Sequence, residues 1–111
     1  MAIFTDELMK QLLTQSRNYT LVILKSGRNY NRPEAKSVIW EHGRRNFELR
    51  AEGILSIVCP VTDTSEVRGI GIFNGEQEKI KEIMDQDPGV KEGVFTYEIH
   101  PCRSFPGDRL P

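Results

Sequence analysis

Two residues of this chain are placed as an acid–base pair would have to be: His42 and Asp87. His42 follows Val38 and Ile39 by four and three positions, and Asp87 follows Ile83 and Met84 by the same steps, so each shares the apolar face of a helix. An inward carboxylate needs a donor, because an unpaired buried charge costs several kcal/mol, and an imidazolium supplies one. A carboxylate bonded to an imidazole also fixes the ring's tautomer and raises its basicity, leaving the second nitrogen to move a proton on a substrate. A purely structural role uses the same residues: Asp87 caps its own turn before Pro88, and His42 bonds a backbone carbonyl. Both readings are open at this point.

Around the pair, Arg45 can hold a carboxylate or phenolate by paired hydrogen bonds, while Arg44 belongs to a solvated helix face. Tyr19 and Tyr97 are candidates to line a cleft and contact a substrate, as is Trp40, although aromatic residues at such positions also serve simply as core.

The elements that must position these residues follow from periodicity. Leu8, Leu12 and Leu13 predict a helix over residues 5–15, capped by Thr5, with Asp6 and Glu7 in its first turn where the helix dipole favours them. Residues 18–25 are β-branched and apolar and predict a strand buried on both faces. A helix is expected from Pro33 to Ala51, with Ala35, Val38, Ile39, Phe47 and Leu49 along its stripe and Gly53 to stop it. Residues 54–59 and 67–73 predict a hairpin around the turn Asp63-Thr64-Ser65. Asn74 and Gln77 have the spacing of a capping box, Ile80, Ile83 and Met84 mark a helix whose face Asp87 continues, and Pro88-Gly89 ends it. Phe95, Tyr97 and Ile99 alternate through a last strand over residues 93–100, and residues 101–111 read as a loop or arm.

Setting the first helix aside, the order is βαββαβ, the ferredoxin-like arrangement of an α+β domain. Residues 1–17 form a helical extension and residues 18–111 the domain proper with its C-terminal arm. Apolar residues on both sides of several strands predict pairing through the sheet into a dimeric α/β barrel, so a homodimer is expected, with higher assemblies open.

Composition narrows the function classes. Fifteen Lys and Arg against sixteen Asp and Glu leave a net charge of -1 with no block of like charge, so no nucleic-acid partner is expected. No apolar run approaches a membrane span or a signal segment, which predicts no membrane partner and a cytoplasmic chain with Cys59 and Cys102 as thiols. The glycines of Gly69-x-Gly71-x-x-x-Gly75 lie in a strand and its turn without the surrounding βαβ unit, so no dinucleotide site is expected. His42, Cys59, His100 and Cys102 lack metal-ligand spacing, and neither a metal nor another cofactor is anticipated.

The stretches Trp40-Glu41-His42-Gly43-Arg44-Arg45-Asn46-Phe47, Gly53-Ile54-Leu55 and Asp87-Pro88-Gly89-Val90-Lys91-Glu92-Gly93-Val94 resemble the YCII-related (YciI-like) family, whose signature is D-P-x-V-x-x-G-V running into the last strand. The likeness spans about residues 19–105. It implies the ferredoxin-like fold, dimerisation through the sheets, and His42 and Asp87 as the family's histidine and aspartate in a cleft by the sheet. It also implies chemistry of the lyase or isomerase kind, dehydrochlorinases among them. The first helix and the Cys-Arg-Ser-Phe-Pro-Gly-Asp tail depart from the smaller members of that family.

The expected function is therefore a small cofactor-independent enzyme working by acid–base chemistry on a small anionic or phenolic substrate. The alternatives are a non-catalytic ligand-binding or assembly module, and a cofactor-free monooxygenase of the same fold.

Overall fold

A computed structural model describes residues 3–111. Thr5 caps the first helix, α1 (Asp6–Leu13), by accepting from the Leu8 N–H, as its sequence predicts. Leu8, Met9, Leu12 and Leu13 lie along α1, yet none of its residues is buried. Among the described residues this amphipathic helix buries none of its apolar face, consistent with the elongated 54 × 29 × 22 Å envelope.

Four strands make one antiparallel sheet: β1 (Arg17–Ser26), β2 (Leu55–Pro60), β3 (Val67–Phe73) and β4 (Phe95–Ser104), in the order β2-β3-β1-β4. With α2 (Ala35–Ala51) and α3 (Gln77–Asp85) between them, the described residues make an α+β domain with four helices, an arrangement compatible with a ferredoxin-like fold. Alternation along β1 sorts the two faces. Thr20, Val22 and Leu24 are buried beneath the helices, and Leu21 and Ile23 are only half-buried on the other face.

The core between sheet and helices is built from Val22, Leu24, Leu55, Phe73 and Phe95 below and Ala35, Leu49, Ile80 and Met84 above. Thr20, also buried, satisfies its hydroxyl by donating to the Gly75 carbonyl at 2.8 Å. At the end of α2, Gly53 adopts φ +80°, and the Ile54 N–H returns to the Leu49 carbonyl, the helix stop that its position predicts.

Four local expectations are corrected. Pro33 lies in the turn before α2, whose cap is Glu34, and is not its first residue. Glu76, not Asn74, caps α3, and no side chain bonds there. Asp87 lies beyond α3 in extended backbone, so Pro88 opens a new short helix, α4 (Pro88–Lys91), where its missing N–H costs nothing. Finally, residues 101–104 continue β4 instead of starting the arm. Pro101 opposes Thr20 on a strand with one free edge, where a residue without an N–H is tolerated.

Candidate functional site

His42 sits in the middle of α2 and turns into the core, 8% exposed, with its ring tilted against Phe95 at 4.8 Å between centroids. Its Nδ1 lies 2.9 Å from both carboxylate oxygens of Asp87, which is 1% exposed. The structure thus brings together the two residues that helical spacing singles out. Asp87 reaches His42 from the N-terminus of α4 and not from the face of α3.

Asp87 also accepts from the Gly89 N–H at 2.9 Å and the Val90 N–H at 3.3 Å. It is therefore a helix cap and an imidazole partner at once, so the structural and the chemical readings describe the same residue. Gly89 permits this closeness: a Cβ there would stand 2.4 Å from the Phe95 ring and 2.9 Å from an Asp87 oxygen.

Burial is the largest influence on the Asp87 carboxyl and pushes it up. The His42 hydrogen bond and charge, the Arg45 charge and the Val90 N–H outweigh it together and hold the group below its ordinary value. Asp87 is thus a carboxylate at neutral pH, an acceptor only, and the His42 Nδ1 carries the proton between them. The other ring nitrogen, Nε2, meets the Asn46 side-chain amide at 3.1 Å. A neutral ring accepts from that NH₂; an imidazolium donates to its oxygen after half a turn of the amide. Asn46 can thus follow the ring through both protonation states.

His42 opens onto a cleft of about 790 Å³ between α2 and the sheet. That is the size range of a small-molecule site. Here β3 presents glycine at two successive positions of the helix-facing side. Gly69, opposite Leu24, leaves its place open, whereas the room that Gly71 leaves opposite Val22 is taken by the Phe73 ring and Leu55. Phe47, expected on the buried stripe of α2, is 59% exposed and borders this cleft instead.

The remaining site candidates are distributed differently. Arg45 lies beside Asp87, with Nη1 at 3.5 Å from Oδ1, and is not part of the cleft lining. Tyr19 opposes Cys102 and alternates onto the uncovered face of the sheet, away from His42. Tyr97 is on the helix-covered face but donates to Asp85, outside the cleft. Desolvation first, and the Asp85 hydrogen bond and charge second, push its phenol up to about 12, so it remains a protonated donor at any ordinary pH. Apolar periodicity and residue type do not point to Asn46, Arg50, Arg68 or Tyr30, although the structure places each of them at the site or along its cleft. For Asn46 a signal exists, since it follows His42 by one helical turn. For Arg68 none does, as shown below.

Among the described residues, no three His, Cys, Asp or Glu side chains converge as a metal site requires, and no helix is long and apolar enough to cross a membrane. Compared with family models and with curated proteins, the chain matches none.

Proposed function

We propose that the chain is a small enzyme of the YciI-like type, using His42 as general acid or base and Asp87 to orient it, on a small anionic or phenolic substrate bound in the cleft. The reaction class is a lyase or isomerase step, dehydrochlorination included, that needs a proton moved and no cofactor. The observation that carries this reading is a buried, ionised Asp87 on one nitrogen of an imidazole whose ring lines an apolar cleft. Such a pair typically supplies about 10²–10⁴-fold in rate. Screening lactones and halogenated phenols for turnover, with His42→Asn as control, tests it. Loss of that order with the fold retained is expected, and undiminished turnover in the variant would end the proposal.

The non-catalytic reading is favoured by one specific observation: the nitrogen that would work on a substrate already meets Asn46. Asn46→Ala separates the two. A catalytic His42 keeps or gains turnover when its second nitrogen is freed, whereas a module that only binds shows no turnover in either form.

The working assembly on this reading is a homodimer joined through the uncovered sheet face. In its support, Leu21, Ile23, Ile57 and Ile72 are only half-buried on that face, and Ile70 beside them is 38% exposed. Light scattering on the wild type and on Ile72→Lys reads this directly: a dimer that becomes a monomer supports the pairing, and a wild-type monomer removes it.

A further inference from the structure

Along β3 the ladder to β1 skips one residue. Leu24 opposes Gly69 and Lys25 opposes Val67, so Arg68 is the extra residue of a β-bulge. Bulges re-aim side chains, and strict alternation would have sent Arg68 to the uncovered face with Ile70. Instead its guanidinium lies over the Tyr30 ring, 5.0 Å from the centroid, donates to the Tyr30 hydroxyl at 3.1 Å, and lines the cleft.

From there the wall is continuous. Tyr30 meets Phe95 at 6.0 Å between ring centroids, and Phe95 meets His42 at 4.8 Å. One side of the cleft therefore runs from a cation, across two aromatic rings, to the imidazole. Opposite it, Gly69 contributes backbone alone, while the Phe73 and Leu55 side chains cover Gly71.

The charge of this space is one-sided. Among the described residues, Arg50, Arg68 and Arg109 line it together with His42 and no Asp or Glu does, in a chain where acidic residues slightly outnumber basic ones. Among the described residues none of these three arginines forms an ion pair. Arg68 is further short of partners, because its Nε is buried with no acceptor. The Arg68 charge reaches the exposed Asp63 without pairing to it. Low-dielectric walls around cations held in no ion pair concentrate anions, and a guanidinium matches the planar, two-oxygen geometry of a carboxylate.

We propose that Arg68 is the anchor for the carboxylate of a flat, aromatic acid, which lies along Tyr30 and Phe95 opposite Gly69 with its far end at His42. This names the ligand class for the cleft. As a statement about catalysis it rests on the acid–base reading above; as a statement about binding it stands alone.

The test compares an isosteric pair of probes, 2-naphthoate and 2-naphthamide, by calorimetric titration of the full chain. The carboxylate is expected to bind about ten- to hundredfold more tightly, the range for a hydrogen-bonded charge. Arg68→Met should abolish that preference and Arg68→Lys should keep part of it. Chemical shifts provide a readout without any variant, since naphthoate should move the Gly69 and Gly71 amides. Gly69→Val should block both probes with the fold retained, because a Cβ at Gly69 meets only backbone, at 3.4 Å and beyond.

Equal affinity for the two probes, no binding of naphthoate at millimolar concentration, shifts confined to other strands, or a preference that survives Arg68→Met would each overturn the proposal. The two readings fail separately. A lost carboxylate preference removes the anchor and leaves the His42 chemistry, while turnover indifferent to His42 removes the chemistry and leaves the anchor.

Discussion

Each of the two histidines in this chain meets a carboxylate, one inside the domain and one outside it. His42 and Asp87 are side chains 10% and 1% exposed, at 2.9 Å, with the carboxylate further bound by two backbone N–H groups and flanked by Arg45. His100 and Glu98 are 52% and 45% exposed, at 3.4 Å, two residues apart on one face of β4, and share the carboxylate with Lys25. The residue types are nearly the same; the surroundings differ. Water around Glu98 does most of what His100 does, so the outer pair is a detail of the surface. Around Asp87, 1% exposed, protein groups stand where water would, so a lost partner is not made good by solvent.

The largest effect belongs to Asp87→Ala, which strands the imidazole, frees two N–H groups and should cost about 3–5 kcal/mol in urea unfolding. A cost near zero would mean that the inner pair is no more consequential than the outer one. Gly89→Ala comes next. The added methyl has to displace the Phe95 ring or the Asp87 carboxylate, and overpacking of this kind costs about 1–3 kcal/mol. The same titration measures it, and an unchanged midpoint would show that α4 can move away freely.

The pH dependence sharpens the contrast further. Asp87 is held below 3.8 in the folded chain, so its contribution to stability is fully present above that unfolded value and is lost as pH falls through the lower folded one. The stability gap between wild type and Asp87→Asn should therefore narrow on acidification below 3.8, as urea midpoints across a pH series will show. A gap independent of pH would mean that Asp87 is not the charged partner. The smallest effect is Glu98→Gln, expected to move the melting temperature by no more than about 2 °C in either direction.

The regular parts of this fold are legible because periodicity reports burial directly. Val22 and Leu24 on β1, Ile80 and Met84 on α3, and the stop at Gly53 all lie where the pattern puts them. His42 is legible for the same reason, as a polar residue at an apolar phase of a helix. Asp87 is found at the correct partner by an incomplete route. Its spacing from Met84 continues a helix that has already ended, and capping geometry at Pro88, not helix phase, is what turns it inward. Arg68 is illegible for a different reason. A one-residue bulge leaves the composition of β3 unchanged while reversing the side to which one residue points, and only the pairing register shows it. Pro101 misleads in the opposite direction, since a residue that normally ends a strand costs little on a free edge.

The register of β1 bears on how the protein is made. Its ten residues pair with β4 from Arg17 against Ser104 to Ser26 against Phe95, so the strand that leaves the ribosome before the other three gains its second neighbour after all of them. Until residues 95–104 emerge, β1 has an open, apolar edge beside β3, which is the template on which nascent chains mispair. Chaperone dependence during synthesis should accordingly concentrate in this window and end abruptly once β4 has docked.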